Sequence, residues 1–308
     1  MNIRCFNRHV SFPTQHMRPV PLPPPMENHL WYVVPDEVKS SSLLNQYMEI
    51  LSPSEKQSVL RLHEDGHKKR ALLARALVRL TIARYQTNSY VDPRSLQFKK
   101  NMYGKPEIDW QHTPGWSPPS FHFNISHTSS LIACGITTSP IGIDLEEKAR
   151  TIKNNVMSFA RRFFCLDEVE HLAKIIDPEI QRLEFLKLWT LKEAYVKALG
   201  RGFSAAPFNT FRIHIEPPTD RISEDTDSKV SAIAVNSTHS SNKWQFTLLE
   251  LADTHYAAVC TENNSGSEDD KEPPMSLRVW KTIPLVEDLC MSGTSSVITI
   301  GGCVKQLR

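Results

Sequence analysis

Four short stretches of this chain carry residue types that could bind a metal ion together with a phosphate. In one-letter code they are YGKP, FNISH, IGIDLE and WTLKEAYVK, at residues 103–106, 123–127, 141–146 and 189–197. They contain carboxylates, lysines, a histidine and hydroxyl groups. Carboxylate and water oxygens beside substrate phosphates are the usual ligands of Mg²⁺. The stretches therefore predict a site that combines metal binding and anion binding.

The third stretch predicts a strand with two carboxylates on one face. Apolar and polar residues alternate along it, and successive side chains of a strand point to opposite faces. Asp144 and Glu146 then share one face, and Ile141, Ile143 and Leu145 share the other. The same alternation is typical of any half-buried strand, so alone it does not predict a function.

The fourth stretch predicts a helix that presents a third carboxylate and an ammonium group. Glu193 and Lys197 are four residues apart, which places them one above the other on a helix face. Such a pair is most often a solvated surface pair, so alone it does not predict a function. The prediction of a site depends on the order of all four stretches. Lys192 lies on a different face of this helix, and we expect it to be exposed.

In this order and with these residues, the four stretches closely resemble the larger 4′-phosphopantetheinyl transferases, the type that activates surfactin synthetase. The resemblance covers roughly residues 29–262. Members of that family move the phosphopantetheine arm of coenzyme A onto a serine of a carrier protein and release adenosine 3′,5′-bisphosphate. The resemblance therefore implies a holo-[acyl-carrier-protein] synthase with coenzyme A as donor, an apo acyl carrier protein as acceptor, and a dependence on Mg²⁺.

The resemblance also implies the fold. It is an α+β fold in which two similar α+β halves form a pseudo-dimer within one monomeric chain, with coenzyme A in the cleft between them. We expect an N-terminal half over 29–140 and a C-terminal half with the metal site over 141–262. Residues 1–28 would be a disordered N-terminus or presequence. Residues 263–308 would be a polar linker and tail without an assigned role, and we expect them to be dispensable for transfer.

Three acids match the metal-binding positions of the family: Asp144, Glu146 and Glu193. Glu193 would also take the proton of the carrier serine, directly or through a metal-held water. Lys197 would stabilise charge on the phosphates as the bond to the bisphosphate breaks. Asp144, Glu193 and Lys197 are therefore the predicted catalytic residues.

The resemblance assigns a second set of residues to coenzyme A. Arg70 is the best match to the contact with the adenosine 3′-phosphate. The full set is Arg70, Lys100, Gly104, Lys105, Pro106, Asn124, Ser126, His127 and Lys197.

Composition excludes several classes of function. The formal net charge is +2, and lysines and arginines are not interleaved with aromatic residues, so nucleic-acid binding is disfavoured. No apolar run approaches the length of a membrane span. The cysteines show no C-x-x-C pair, which favours reduced, mostly buried thiols; they are Cys5, Cys134, Cys165, Cys260, Cys290 and Cys303.

The N-terminus has the bias of an organelle presequence. Arg4, Arg8 and Arg18 precede the first acid, Glu27, and acid-poor segments that carry arginine are typical of mitochondrial transit peptides. The prolines at 21 and 23–25 would stop an amphipathic helix there. We expect a mitochondrial location, with the cytoplasm as the alternative.

Hydrophobic periodicity predicts the elements that position the site. Ser52 and Glu55 have the form of a capped helix start, and apolar spacing predicts a helix over 67–85. Two helical segments are expected over 155–176 and 178–199, the second ended by Gly200 and Gly202. Strands are expected over 30–34, 96–100, 121–124, 131–137, 141–146, 208–215, 230–235, 244–251 and 256–260.

Two other functions remain open from the residues. One is a carrier-binding scaffold without catalytic activity, which replacement of Asp144, Glu193 or Lys197 would favour; none of the three is replaced. The other is a magnesium-dependent phosphate-ester hydrolase that uses the same acids and releases phosphopantetheine to water.

Overall fold

The structure is a computed structural model, and it describes residues 18–85, 91–110, 121–153, 155–202, 206–216, 229–234, 244–262 and 276–301. Several sequence predictions lie outside these residues. They concern Arg4 and Arg8 of the presequence, the linker at 263–274, and two loops that proline and polar residues predict, at 114–119 and 223–228. The mitochondrial location stays a prediction.

The N-terminal half combines three helices with a sheet. Its helices are α1 (Ser41–Ile50), α2 (Pro53–Leu60) and α3 (Asp65–Arg84). Its strands are β1 (Glu27–Val33), β2 (Phe98–Lys100), β3 (Pro106–Ile108), β4 (His122–His127) and β5 (Ile132–Thr137). Ser52 and Glu55 form the predicted capping box at the start of α2. Helix α1 was not predicted from the sequence.

The C-terminal half repeats this combination. Its helices are α4 (Val156–Phe163), α5 (Leu166–Ala173) and α6 (Pro178–Leu199), and its strands are β6 (Ile141–Glu147), β7 (Phe211–Glu216), β8 (Lys229–Ala234), β9 (Trp244–Leu251) and β10 (His255–Glu262). The segment predicted as one helix over 155–176 is two helices. Helix α6 ends at Gly200, whose left-handed φ of 64° is a conformation that glycine adopts without a steric penalty.

The tail beyond residue 275 adds three further strands: β11 (Ser276–Ile283), β12 (Glu287–Cys290) and β13 (Val297–Gly301). Strand β11 pairs in parallel with β1, and β13 pairs with β9. The tail therefore belongs to both sheets, which gives a structural role to a segment that the sequence left without an assigned one. These strands were not predicted, because a polar linker precedes them and the resemblance to the family ends before they begin.

The first sheet is mixed, because β1 and β11 are parallel, and the described pairs of the second sheet are antiparallel. The first is β12-β11-β1-β5-β4, and the second is β6-β10-β9-β8-β7 with β13 attached to β9. One buried cluster takes residues from both sheets, among them Leu30, Ile143, Leu249, Leu277 and Val297. The two halves are therefore joined through a shared apolar layer, and the α+β fold with two halves in one chain is confirmed.

Each half also has its own core on the helix side of its sheet. Helix α3 packs over the first sheet with Leu73, Ala76 and Leu77. Helix α6 packs over the second with Leu188, Leu191 and others. Within the described chain, no helix is long and apolar enough to cross a membrane.

Candidate active site

Strand β6 places the predicted carboxylates against helix α6. The side chains of Ile141 and Ile143 point into the layer between the sheets, so Asp144 and Glu146 lie on the opposite face, as the alternation predicts. Gly142 shares that face. A Cβ atom at Gly142 would lie 2.0 Å from the carbonyl oxygen of Ala194 and 2.2 Å from the amide nitrogen of Ala198. Glycine therefore lets α6 approach the strand closely enough to bring its side chains to the carboxylates.

Side chains from β4 join the edges of the two sheets. Asn124 Oδ1 accepts a hydrogen bond from the amide of Ile143 at 2.8 Å. Ser126 Oγ accepts one from the amide of Leu145 at 3.2 Å and donates to Asp144 Oδ1 at 3.1 Å. Asn124 is 4% exposed and holds the strands together. Its predicted contact with coenzyme A therefore stays a prediction, whereas Ser126 lines the cleft.

Lys197 reaches the same carboxylate from α6. Its Nζ lies 2.5 Å from Asp144 Oδ1 and 3.1 Å from Ser126 Oγ. Three of the four motif stretches therefore meet at this point. Asp144 is 6% exposed, and burial raises its pKa, an effect that Lys197 opposes.

Glu193 lies one turn before Lys197 on the same face of α6. Burial, followed by the negative charge of Asp144, raises the pKa of Glu193 to about 7. A carboxyl group with a pKa near the working pH can both accept and release a proton. Glu193 is therefore suited to general-base chemistry.

Glu146 is the third carboxylate, and Arg150 holds it. The Arg150 guanidinium bonds to Glu146 Oε1 and lies over the ring of Trp189 at 5.6 Å. Burial and the charge of Asp144 raise the pKa of Glu146. The three acids thus repel one another, which a bound cation would relieve.

These acids fit Mg²⁺ as a donor set. All three offer hard oxygen ligands, and Asp144 Oδ2 is a buried oxygen without a hydrogen-bond partner. The set is not preassembled: in the part of the chain that the structure describes, no three His, Cys, Asp or Glu side chains stand in a metal-holding arrangement. Instead, Lys197 forms an ion pair with Asp144, and Arg150 forms one with Glu146.

The carboxylates line an open cleft of about 770 Å³. Its walls come from the end of β4 and the following turn, from β6 and the residues after it, and from α6. Its polar and charged lining residues include Ser126, His127, Ser129, Asp144, Glu146, Glu147, Arg150, Glu193 and Lys197.

Positive charge gathers around His127. Burial lowers the pKa of His127, and the charges of Lys197, Arg70 and Arg75 lower it further. Arg70 therefore lies within electrostatic range of His127, and its contact with coenzyme A stays a prediction. Arg75 was not among the predicted binding residues, because a spacing of five does not place it on the helix face of Arg70. Clustered cations of this kind suit an anion such as phosphate.

The YGKP stretch forms the tip of the β2–β3 hairpin and binds the end of α6. Lys105 Nζ donates to the carbonyl oxygens of Ile141, at 2.9 Å, and Ala198, at 3.4 Å. Asn101 Nδ2 donates to the carbonyl oxygen of Gly200 at 2.8 Å. The hairpin therefore fastens the N-terminal half to the helix that carries Glu193. None of the predicted coenzyme A residues in this region lines the cleft, namely Lys100, Gly104, Lys105 and Pro106, so their nucleotide contacts stay a prediction.

Lys105 predicts a pH dependence of stability. Burial lowers its pKa from 10.5 to about 8, so between these values the unfolded chain binds more protons than the folded chain. The contribution of Lys105 to stability is therefore present above pH 10.5 and is lost as the pH falls through 8. We expect the difference in free energy of unfolding between wild type and Lys105→Met to increase from pH 8 to pH 10, as measured by urea unfolding. The same series on the exposed Lys99→Met should be flat, and a flat series for Lys105→Met would contradict the assignment.

Lys192 is buried, which corrects the expectation that it is exposed. Its side chain is 0% exposed and lies 2.9 Å from Glu168 Oε1. Its Nζ also donates to the carbonyl oxygens of Phe208 and Phe211, at 2.8 and 2.7 Å. The three donors of the ammonium group are thus all used. Helical spacing correctly predicted that Lys192 and Glu193 lie on different faces of α6. It could not show that α5 and the segment at 208–211 would cover the face that carries Lys192.

Replacing Lys192 by methionine should destabilise the fold by about 3 to 5 kcal/mol, since it leaves the buried carboxylate of Glu168 without its partner. Lys187→Met on the same helix breaks a partly exposed pair with Glu184 and a contact with the ring of Tyr256, and we expect a loss of about 1 kcal/mol. Thermal and urea unfolding of both variants would measure this. Equal midpoints for the two variants would show that the buried pair does not stabilise the protein.

Arg150, Ser129 and Glu147 also line the cleft and were missed from the sequence. Arg150 follows Glu146 by four residues, but β6 ends at Glu147, so no helix gives this spacing a meaning. Ser129 and Glu147 are 18 residues apart, and only the neighbouring edges of β4 and β6 bring them together.

Comparisons with known proteins agree with the motif order. The sequence model of the 4′-phosphopantetheinyl transferase superfamily matches residues 140–260, and that of the N-terminal domain of a 4′-phosphopantetheinyl transferase matches residues 39–138. The 4′-phosphopantetheinyl transferase Sfp of Bacillus subtilis (strain 168) is 34% identical over 172 residues, covering 55% of this chain and 69% of the relative. The 4′-phosphopantetheinyl transferase HetI of Nostoc sp. is 32% identical, covering 58% and 70%.

A solved structure is also similar over part of the chain. It is the holo-[acyl-carrier-protein] synthase of Thermotoga maritima, with a TM-score of 0.30 and 20% identity, covering 43% of this chain and 70% of that one. At this score the comparison carries no argument beyond those from the sequences.

Proposed function

This chain belongs to the 4′-phosphopantetheinyl transferase superfamily, and on that premise we propose that it transfers the phosphopantetheine arm of coenzyme A to a serine of an apo acyl carrier protein. The family resemblance drawn from the motifs is thereby confirmed. The acceptor, the dependence on magnesium and the roles of individual residues are proposals. The observation that supports them best is the meeting of Ser126, Asp144 and Lys197 beside Glu193 in one cleft.

The charges of the cleft suit a diphosphate donor. Arg70, Arg75 and Lys197 act on the His127 end, where the phosphates of coenzyme A would be bound by opposite charge. The acids of β6 and α6 lie beside Lys197. A reacting phosphate placed there contacts the ammonium group of Lys197, and the neighbouring carboxylates would hold the metal ion that offsets the negative charge, as phosphoryl transfer needs.

The transfer can be written with residues of this chain. The serine oxygen of the carrier attacks the phosphorus next to the pantetheine arm, and Glu193 accepts the proton of that hydroxyl group. The bond from this phosphorus to the oxygen of the nucleotide breaks, and the electron pair leaves with adenosine 3′,5′-bisphosphate. Lys197 stabilises the negative charge that develops on the phosphates.

Asp144, Glu146 and Glu193 would hold Mg²⁺. When bound, the ion would neutralise charge on the two phosphates and polarise the reacting one. Lys197 and Arg150 would then exchange the carboxylates for phosphate oxygens, since both cations now bond to acids that the ion would take.

Mass spectrometry of apo carrier proteins would test the proposed function. The full chain is incubated with coenzyme A, Mg²⁺ and a panel of apo carriers, with chelator in a parallel series. We expect one phosphopantetheine to be added to an acyl carrier protein, with release of adenosine 3′,5′-bisphosphate, and no addition in chelator. Release of free phosphopantetheine without any carrier modification would instead identify a hydrolase.

Removing the charge of Lys197 should lower turnover more than affinity. Lys197→Gln keeps a donor for Asp144 and Ser126 but loses the positive charge, which matters most in the transition state. We expect kcat to fall about 100-fold and the Kd for coenzyme A to change only a few fold. Lys187→Gln on the same helix is the control. A loss confined to affinity would make Lys197 a binding residue only.

A further inference from the structure

The cleft continues beyond the acids to an end that is lined by hydroxyl groups. Strands β4 and β6 run in the same direction here, because Asn124 bonds to Ile143 and Ser126 to Leu145. Ser129, in the turn that follows β4, bonds to Glu147, the last residue of β6. Glu147 lies three residues beyond Asp144 along β6, which at about 3.3 Å per residue is a distance of about 10 Å. Ser129 and Glu147 therefore define the far end of the cleft.

Glu147 is anchored by hydroxyl groups and not by a cation. Ser129 donates to its Oε1, and Ser130 donates to the same oxygen at 2.8 Å. Each carboxylate oxygen has two lone pairs, so Oε2 retains capacity for a further donor. Within the described residues, no lysine or arginine forms an ion pair with Glu147. A glutamate is ionised near neutral pH, so this end of the cleft is negative.

His255 is the nearest titratable neighbour, and its ring is already engaged. Its Nε2 lies 4.0 Å from Glu147 Oε1 but 2.9 Å from Thr128 Oγ1, and its Nδ1 lies 2.8 Å from Thr254 Oγ1. The residue is 2% exposed, and burial disfavours the charged imidazolium. His255 therefore fixes the turn at 128–131 and does not neutralise Glu147.

The cleft is thus divided by charge. Cations at the Lys197 and His127 end attract phosphates, and the carboxylate at the Ser129 end repels them. A donor whose reacting phosphate sits at the acids has its nucleotide on one side of that phosphate and an uncharged arm on the other. Hydroxyl groups and a carboxylate acceptor suit an arm that carries amide N–H groups.

We propose that Ser129 and Glu147 form a subsite for the uncharged, amide-bearing arm of the donor, with Glu147 accepting a hydrogen bond from an N–H group of that arm. This inference rests on the proposed function. Glu147 selects donors by their arm, and it contributes nothing to the binding of the nucleotide. The transferred group is therefore recognised separately from the leaving group.

Comparison of two ligands tests this division. Adenosine 3′,5′-bisphosphate keeps the nucleotide of coenzyme A and lacks the arm, so the two ligands report on different ends of the cleft. In Glu147→Gln the side-chain oxygen can still accept from the serine hydroxyls, but an amide N–H₂ replaces the second acceptor. With the full chain and calorimetry, we expect the Kd for coenzyme A to rise about tenfold, while the Kd for the bisphosphate stays within about twofold.

Two further variants complete the experiment. Ser129→Ala removes one anchor and should give the same selectivity with a smaller rise, about threefold. Glu250→Gln, whose carboxylate pairs with Lys148 and does not line the cleft, should change neither affinity.

Each contrary outcome has a separate meaning. Equal weakening of both ligands by Glu147→Gln would overturn the subsite and leave the proposed function standing. Unchanged affinity for coenzyme A with a raised KM for the carrier protein would assign Glu147 to the carrier and overturn the inference. Failure of the wild-type chain to bind either ligand would overturn the proposed function and the subsite together.

Discussion

Glu193→Gln should reduce the rate of phosphopantetheine transfer about 10³-fold, because it removes the group that accepts the serine proton and one of the three acids proposed to bind the metal. The variant keeps the size and the hydrogen-bonding capacity of the side chain. Turnover of an apo acyl carrier protein, followed by mass spectrometry, measures the loss. Asp144→Asn should have a comparable effect through the same proposed metal site.

The same substitution should not destabilise the fold, and this separates a catalytic from a structural role. The pKa of Glu193 is raised from 4.5 to about 7 in the folded chain. Its favourable effect on stability is therefore present below pH 4.5 and is lost as the pH rises through 7. A neutral glutamine does not suffer this loss, so at pH 8 we expect Glu193→Gln to be at least as stable as wild type.

Glu179→Gln is the matched control on the same helix. Glu179 forms an exposed pair with Arg182 in the first turn of α6, far along the helix from the cleft. Its transfer rate should equal that of wild type. If Glu193→Gln retained activity within a few fold of this control, Glu193 would be neither the base nor a necessary ligand.

Local periodicity in the sequence predicted how the three acids and Lys197 are placed within their own strand and helix. Alternation along β6 placed Asp144 and Glu146 on one face, and a spacing of four placed Lys197 above Glu193. These relations depend only on strand and helix geometry. Periodicity alone does not predict the contact of Lys197 with Asp144. That contact also depends on Gly142, which lets the helix approach the strand.

The features that the sequence did not predict are contacts between residues of different helices and strands, which residue spacing does not determine. Lys192 looked exposed because its partner, Glu168, belongs to another helix. The contacts of the Lys105 ammonium group with carbonyl oxygens of Ile141 and Ala198 were likewise not visible in the sequence, and its contact with the nucleotide stays a prediction. Ser129 and Glu147 carried no signal because two sheet edges bring them together. In each case, the tertiary fold determines which group the side chain bonds to.

Removing residues 263–308 should abolish stable folding, although the motifs all lie before this segment. Leu277 and Val279 are 0% exposed in the layer between the sheets, and Val297 is 6% exposed. Burial of each contributes about 2 kcal/mol, which together approaches the entire stability of an ordinary domain, about 5 to 15 kcal/mol. The deletion also removes Asp288, which lies 2.6 Å from the buried guanidinium of Arg84.

Deletion would in addition expose β1 as a sheet edge. Strand β1 now pairs with β11 along its length, and Trp31 stacks on Trp280 with ring centroids 4.5 Å apart. A hydrophobic strand with unpaired N–H and C=O groups is a template for aggregation. We therefore expect the chain that ends at Glu262 to be recovered as aggregate or as a molecule without a cooperative thermal transition.

Point variants keep this prediction testable if the truncated chain cannot be purified. Leu277→Ala should lower the free energy of unfolding by about 2 to 5 kcal/mol, as for a buried leucine. Leu289→Ala in the exposed edge strand β12, where the side chain is 49% exposed, should change it by less than about 0.5 kcal/mol. Both are measured by urea unfolding of the full chain. A truncated chain with the urea midpoint of wild type would show that the tail is dispensable, and the two leucine variants would then be expected to behave alike. The cleft therefore depends on residues far outside its motifs, because the tail strands complete the apolar layer on which β6 packs.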